Sequence, residues 1–251
     1  MVVSNLASGL PEPPKPIGLP ELLDRSFQAY RRHFVFFATI AIISILPEVV
    51  VEIIWGSGAV LGATRLIFAP YALGMLFISA TQVVVWNEAS LKDVLLAAFQ
   101  RYFPFAGIVL GYVLSALALI LPPLGIWLFV RWSMASPALA AEPIGPNAAI
   151  HRSEALVKGS WWRCIVAMTI VIILSSVVAL LLGMSAGVGV SFVPGLPEDV
   201  SLMVVGSAAV LAGSLAIPLV PIAFSLLYVD LRVRKEGFDL DYLAKSAADA
   251  A

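Results

Sequence analysis

One arginine stands alone within a long apolar segment of this sequence. Arg131 is the only charged residue between Leu124 and Ala141. A charged side chain at the centre of a bilayer costs from about 3 to more than about 10 kcal/mol, so it needs a partner of opposite charge. Glu48 and Glu52, one helical turn apart, are the acids available in the first apolar segment. The sequence therefore predicts an ion pair of Arg131 with Glu48 or Glu52, either as a substrate or proton site or as a structural link.

Other residue types that carry chemistry are sparse. The sequence has no P-loop, no nucleophile elbow and no dinucleotide fingerprint. The single cysteine, Cys164, excludes an internal disulfide, and His33 and His151 do not have zinc-ligand spacing. Both histidines lie in basic segments, where contact with a lipid headgroup explains them better than general-base catalysis. We therefore expect no enzymatic activity, no cofactor and no metal site.

The elements that must position Arg131 follow from the composition. Hydrophobic residues make up 61% of the chain and charged residues only 12%, against about 25% in a typical soluble domain. Long charge-free blocks that do not alternate in polarity predict membrane-spanning helices, which need about 20 apolar residues each, rather than barrel strands. We expect an all-α polytopic transmembrane bundle of six helices: Phe34 to Trp55, Leu66 to Trp86, Phe103 to Leu121, Leu124 to Ala141, Cys164 to Met184 and Ser201 to Val229.

Two features qualify these six spans. The third and fourth are separated only by Pro122 and Pro123, which cannot continue a helix. They form either a tight hairpin or a re-entrant loop, and both alternatives keep the number of crossings even. The first 33 residues hold no apolar run, so we expect no cleavable signal peptide.

The basic residues are distributed very unevenly over this map. Of the 15 Lys and Arg residues, all but Arg65 and Arg131 fall on one side of the predicted spans. Cytoplasmic loops of membrane proteins carry the excess of basic residues. The sequence therefore predicts a multi-pass protein of the bacterial inner membrane with both termini in the cytoplasm.

The segments that precede the odd-numbered spans resemble one another. Each has the apolar spacing of an amphipathic helix. At an offset of 72 residues, Leu91, Val94, Leu95, Phe99, Gln100 and Tyr102 match Leu19, Leu22, Leu23, Phe27, Gln28 and Tyr30. At an offset of 127, Ile150, Arg152, Ser153, Val157, Lys158 and Trp161 match Leu23, Arg25, Ser26, Tyr30, Arg31 and Phe34. We predict three copies of one unit, an in-plane amphipathic helix followed by a transmembrane hairpin.

This repeat divides the chain into a Pro-rich tail at 1–18, repeats at 19–86, 87–144 and 145–229, and a second tail at 230–251. The in-plane helices would either lie in the membrane interface, with their cations towards anionic lipid, or pack as elbows on the end of the bundle. The predicted interface cations are Arg25, Arg31, Arg32, Lys92, Arg101, Arg152, Lys158, Arg163, Arg232, Arg234 and Lys235.

Two stretches carry a family resemblance. They are 142–163, EPIGPNAAIHRSEALVKGSWWR, and 227–243, LYVDLRVRKEGFDLDYL. They resemble the family named for the membrane domain of glycerophosphoryl diester phosphodiesterase, and related bacterial six-span proteins, in an acid–proline turn, an Arg-Ser helix, a Trp-rich entry to span five and a terminal Asp-Leu-Arg motif. The hydrolase of that family is a separate barrel domain with metal-binding residues, which this chain does not contain. The resemblance therefore implies architecture rather than hydrolysis.

The terminal motif suggests a specific contact. Asp230 follows span six closely, and Arg152 lies in the third amphipathic segment. Pairing of Asp230 with Arg152 would tie the third repeat to the C-terminal tail, and we expect that pair.

Two functions agree with these features. The first is a non-enzymatic accessory or scaffold protein, a subunit of a larger complex or an organiser of lipid. Its partners would be membrane lipids and other membrane protein subunits or copies of itself, with no nucleic acid. The alternative is a small transporter or lipid-handling permease with a site near Arg131, because internal repeats often build transport sites near mid-membrane.

Overall fold

The computed structural model describes residues 16–55, 59–191 and 198–236, and every regular element in these ranges is helical. Most of the two predicted tails, 1–15 and 237–251, lies outside the described residues. The helices are α1 Leu19–Arg32, α2 Phe34–Trp55, α3 Ala59–Thr81 with a π-helical turn Gln82–Trp86, α4 Leu91–Gln100, α5 Tyr102–Leu117, α6 Pro122–Trp132, α7 Ala135–Ala141, α8 Pro146–Val157, α9 Trp161–Ser191, α10 Glu198–Ser214 and α11 Leu219–Glu236.

The three short amphipathic segments begin at corresponding positions. The N-caps of α1, α4 and α8 are Gly18, Ser90 and Gly145. Proline follows the cap in α1 and α8, where its missing amide hydrogen costs nothing. In α4 the Ser90 hydroxyl accepts a hydrogen bond from the amide of Asp93 instead. The caps are separated by the same offsets, 72 and 127, that relate the three sequence segments.

Within the described ranges, six helical segments are long and apolar enough to cross a membrane. They are Phe34–Trp55, Leu61–Trp86, Tyr102–Ile120, Pro122–Ala141, Trp161–Gly189 and Val204–Glu236. The predicted number of spans is confirmed, but several predicted ends are wrong. The sixth segment continues past Val229 to Glu236 because the charged residues of its last turn form ion pairs within the protein.

Proline sets the breaks within the even-numbered spans. The fourth span is divided at Ser133 and Met134 into α6 and α7, and Ser133 is four residues before Pro137. The sixth is divided into α10 and α11 by a turn that ends at Pro218. In both places proline lacks the amide hydrogen and crowds the carbonyl of the preceding turn. The junction of spans three and four is a tight turn, in which a 3₁₀ segment Ala118–Ile120 leads directly into Pro122.

Each amphipathic helix packs against the last part of an even-numbered span. Helix α1 packs on α11, α4 on α3 and α8 on α7. The three supporting elements α3, α7 and α11 also contact one another. All seven residues of α7 are buried, as are most residues of α11. We call this region, formed by α1, α4, α7, α8, α11 and the end of α3, the packed end of the bundle.

The amphipathic helices do not lie flat across the bundle. The amide of Ile17 donates to Asp230 Oδ1 (2.8 Å), and at the other end of α1 the Tyr30 hydroxyl donates to the carbonyl of Leu215. Helix α1 therefore runs antiparallel to α11. Helix α4 runs along α3 in the same way, from the Ser90–Gln82 contact (3.3 Å) to the contact of Tyr102 Oη with the carbonyl of Ile67 (2.8 Å).

Helix α8 shares this arrangement, since the Ser153 hydroxyl accepts from the amide of Met134 (3.0 Å) across from α7. These contacts favour packing on the bundle, the elbow alternative, over an in-plane orientation. The physical reason is that their apolar faces find buried protein partners: Leu22, Val94 and Leu156 are almost inaccessible to solvent.

Candidate functional site

The packed end holds most of the charged side chains that the sequence marked as candidates. Glu142 and Glu236 form a cluster with two arginines. Arg152 Nε lies 3.2 Å from Glu142 Oε1 and its Nη2 lies 2.9 Å from Glu236 Oε2, while Arg232 Nε lies 3.0 Å from Glu236 Oε2. The Tyr228 hydroxyl donates to Glu142. This set, which we call the Glu142 cluster, ties α8 to α11 through side chains of balanced charge.

The electrostatics of the Glu142 cluster favour the protonated form of Arg152. Burial works against the charge of Arg152, but its hydrogen bond with Glu236 and the charge of Glu142 outweigh burial and raise the pKa of Arg152. Arg152 therefore stays protonated and held between two carboxylates, so it is not available to bind an anion from outside.

A second cluster surrounds Asp230, whose side chain is fully buried. Its carboxylate accepts from Arg163 Nε (3.1 Å) and Nη2 (2.9 Å), from Arg234 Nε (3.0 Å) and from the amide of Ile17 (2.8 Å). Arg163 and Arg234 also donate to the carbonyl of Ile17. One carboxylate thus joins the residues before α1, the start of α9 and the last turns of α11.

The expected pair of Asp230 with Arg152 is wrong. Asp230 pairs with Arg163 and Arg234, whereas Arg152 pairs with Glu142 and Glu236. Helix α8 and the start of α9 are nevertheless linked to the C-terminal part of span six, through two separate sets of partners. The sequence could not separate the pairs because the acids Asp230 and Glu236 lie close together on α11, and each is a suitable partner for an arginine of α8 or α9.

Arg131 does not contact Glu48 or Glu52, so the predicted pair is wrong. Its Nε lies 2.9 Å from Glu154 Oε1 in α8, and Glu48 pairs instead with Arg65 at 3.0 Å, towards the opposite end of the bundle. The reason is the break at Ser133: with α6 ending there, α8 folds back beside α7 and brings Glu154 to the level of Arg131. The Ser153 hydroxyl fixes this fold by donating to the Arg131 carbonyl (2.7 Å).

The Arg131 side chain is held on two sides, by Trp127 and Glu154. Its guanidinium lies 4.6 Å from the centre of the Trp127 ring, a cation–π arrangement. The same Glu154 oxygen that contacts Arg131 also accepts from Trp132 Nε1 (3.2 Å). The hydrogen bond from Arg131 is the main reason that the pKa of Glu154 is lowered from its usual value of 4.5. This site therefore keeps a charged guanidinium and a charged carboxylate at neutral pH.

A cavity of about 560 Å³ opens beside this pair. We call it the polar cavity. Arg131, His151, Glu154 and Lys158 supply its charged or titratable groups, and two indole rings form part of its wall. The indole N–H of one of them, Trp161, has no hydrogen-bond partner among the described residues. The complete set of lining residues is Trp127, Arg131, His151, Glu154, Ala155, Val157, Lys158, Gly159 and Trp161.

A second cavity, of about 430 Å³, lies between α5, α6 and α9. We call it the apolar cavity, because its wall contains no charged residue. It is lined by Tyr112, Ser115, Ala116, Leu119, Ile126, Phe129, Val130, Ile165, Met168, Thr169 and Ile172. Several of these side chains are exposed at the lateral surface, including Ile126, Phe129 and Ile172. The cavity therefore opens sideways, towards the region that lipid would occupy.

The remaining predicted cations are spread over the packed end. Arg101 donates to the carbonyls of Leu139 and Glu142 and closes the C-terminal end of α7. Lys235 donates to the carbonyls of Ala155 and Lys158. Arg25 forms an exposed ion pair with Glu21, and Arg31, Arg32 and Lys92 are exposed on α1 and α4.

The chemistry of the packed end is that of ion pairs between acids and arginines. Glu142, Glu154, Asp230 and Glu236 each contact an arginine, so these four carboxylates are held as ion-pair partners. Sequence reasoning missed Glu154 and Tyr228 as site residues. The available signal was the spacing of His151 and Glu154, three residues apart on one helix. Placing that helix next to Arg131 required the fold of α8, which the sequence does not give.

Comparisons with protein-family models, with curated proteins and with solved structures found no match to this chain. The family resemblance of 142–163 and 227–243 therefore stays a prediction. The described parts of those two stretches do contact each other, because they contain the partners of both ion clusters.

Proposed function

We propose that this chain is a non-enzymatic multi-pass protein of the bacterial inner membrane that acts as an accessory or scaffold protein and gathers anionic lipid around its packed end. One observation carries the proposal. The packed end uses its carboxylates to fix arginines internally, yet leaves Arg31 and Arg32 exposed at the end of α1 and Lys92 exposed at the start of α4; we call these three cations the rim. Cations near an anionic membrane surface attract it by about 1 kcal/mol each.

Exposed aromatic residues accompany these cations. Phe99, Phe103 and Trp162 are each more than 70% exposed in the described chain. Tryptophan and tyrosine on the surface of a membrane protein are enriched at the level of the lipid headgroups, and Trp162 belongs to that class. The combination of exposed rings and exposed cations supports a headgroup region around the packed end, which the positive-inside rule assigns to the cytoplasmic leaflet.

The proposal includes three repeats of one unit, each with an amphipathic helix before a hairpin. The common cap positions and the antiparallel packing of α1, α4 and α8 support it. So do the hydroxyls of Tyr30 and Tyr102, which match at the offset of 72. Each donates to a carbonyl three residues before a proline, Pro218 in one case and Pro70 in the other.

The test is the lipid shell of the intact protein. The protein is extracted from bacterial membranes into polymer-bounded discs, and the anionic fraction of the co-extracted lipid is compared with that of the bulk membrane. We expect an anionic fraction above that of the bulk, and a return to the bulk value when Arg31, Arg32 and Lys92 are all replaced by Gln. Neutral side chains cannot attract anionic headgroups by charge.

Arg65→Gln is the matched control, because Arg65 is also exposed but is already paired with the Glu48 carboxylate. It should leave the shell enriched. A wild-type shell with the composition of the bulk membrane would contradict the proposed function. The same discs, analysed for co-purified protein, would identify subunits of a larger complex or self-association.

A second candidate, a small lipid-handling permease, is favoured by one observation, the polar cavity next to Arg131 with an apolar cavity beside it. Measured movement of labelled lipid between leaflets of vesicles that contain the purified protein would favour this function over the scaffold.

A further inference from the structure

The polar and apolar cavities share two helices as walls. On α6, Trp127 and Arg131 face the polar cavity, while Ile126 and Val130, each adjacent to one of them in sequence, face the apolar one. On α9, Trp161 lines the polar cavity and Ile165, one turn further, lines the apolar cavity. The two cavities therefore lie against adjacent faces of α6 and against successive turns of α9, and we call them together the cleft between α6 and α9.

The cleft changes from charged to apolar along its length. From Trp161 to Ile172 it follows α9 for about 16 Å, at about 1.5 Å per residue. The charged part is at the packed end, and the apolar part extends away from it, along the predicted direction of the hydrocarbon core. A ligand that matches the cleft has a polar head and an apolar chain.

The charges of the polar part favour an anionic head. Arg131 and Lys158 contribute two positive charges and Glu154 one negative charge, so without any contribution from His151 the wall carries an excess positive charge. Lys158 is exposed, and the Arg131 guanidinium is already oriented by Glu154 and Trp127. A pre-oriented guanidinium is well suited to a phosphate oxygen, since Arg and phosphate form charge-assisted hydrogen bonds.

We propose that the cleft binds one molecule of an anionic phospholipid, with its phosphodiester at Arg131 and Lys158 and one acyl chain in the apolar cavity. This proposal deepens the proposed function, because it adds one defined site to a lipid shell held by charge at the rim. Free phosphate would use only the polar part of the cleft, whereas the lateral opening at Ile126, Phe129 and Ile172 admits a chain directly from the bilayer.

Native mass spectrometry of the full-length protein in detergent, titrated with phosphatidylglycerol, tests the site. We expect one molecule to bind before any others, and Arg131→Gln to weaken that first binding by about tenfold, as expected for the loss of one charge-assisted hydrogen bond. Lys158→Gln, at an exposed position, should weaken it in the same direction. Glu154→Gln should strengthen it, because it removes the negative charge from the cleft wall while leaving the guanidinium in place.

The acyl-chain part is tested separately with Ala116→Phe, which adds bulk to the apolar cavity without changing charge. It should weaken the binding of phosphatidylglycerol, and inorganic phosphate at millimolar concentration should not displace the lipid. Equal first binding by phosphatidylethanolamine, displacement by inorganic phosphate, or unchanged affinity in both Arg131→Gln and Lys158→Gln would overturn the proposal. These variants leave Arg31, Arg32 and Lys92 intact. A negative result at the cleft therefore leaves the enrichment of anionic lipid around the rim cations as a separate test of the proposed function.

Discussion

Replacing Asp230 by Ala should destabilise the folded protein by about 3–5 kcal/mol, as expected when one partner of a buried ion pair is removed. The Asp230 carboxylate is fully buried and accepts from Arg163, Arg234 and the amide of Ile17. Alanine leaves two partly buried guanidinium groups facing each other with no anion between them. It also removes the contact that fixes the chain before α1.

The measurement is a denaturation series in mixed micelles, followed by tryptophan fluorescence. Glu21→Ala is the matched control, since Glu21 also pairs with an arginine, Arg25, but both side chains are about half exposed (48% and 51%). Exposed pairs contribute at most about 1 kcal/mol. Equal losses of stability in Asp230→Ala and Glu21→Ala would contradict a stabilising role for the buried ion pairs of Asp230.

Replacing Gly125 by Ala should destabilise the turn between spans three and four by about 1–3 kcal/mol, the range for overpacking a filled site. A Cβ atom at Gly125 would lie 2.6 Å from the amide nitrogen of Leu119 and 2.8 Å from its Cα. Those are backbone atoms, so the clash cannot be relieved by a rotamer change. The turn itself would have to open, and the packing of α5 against α6 would change with it.

Gly62→Ala provides the comparison, because no atom lies within 4 Å of the Cβ position at Gly62 and the residue is helical. There, alanine should stabilise the protein by about 0.5–1 kcal/mol, since glycine loses more backbone entropy on folding. Thermal unfolding in one detergent, with both variants measured beside the wild type, tests this. A Gly125→Ala protein as stable as the Gly62→Ala protein would show that the turn is not tightly packed.

The existence and number of the spans could be predicted from the sequence, because both depend on a one-dimensional property. A run such as Phe34–Trp55 is long and apolar whatever surrounds it, and the described part of the chain has six such segments. The tight junction before Pro122 was also predictable, since proline at the start of a helix has a local effect. These features need no knowledge of tertiary contacts.

The orientation of the amphipathic helices was not predictable in the same way. An apolar stripe on α1 or α4 fits a lipid surface and a protein surface equally well, and only the partner decides between them. In the structure, α11 and α3 supply that partner. The sequence pattern identified the buried face, with Leu22 and Val94 among its residues, but it could not identify what covers it.

The partner of Arg131 was missed for a related reason. An isolated charge in an apolar segment costs free energy, so a partner for Arg131 was expected. In the structure that partner is Glu154. Its identity depended on the break at Ser133, where a new helix begins and α8 turns back beside it. The search among acids within the predicted spans excluded Glu154, because that residue lies in a segment expected to be at the interface.

The central claim is that three units place their basic helices on the cytoplasmic side of the membrane. The most direct measurement labels single cysteines, one for each unit, at Arg25→Cys, Lys92→Cys and His151→Cys in a Cys164→Ser background, with Arg65→Cys as the comparison. All four native side chains are exposed.

With a membrane-impermeant maleimide, the first three should react in inverted vesicles and be protected in right-side-out vesicles, and Arg65→Cys should show the reverse. Labelling of Arg25→Cys, Lys92→Cys and His151→Cys from different sides of the membrane would contradict the claim.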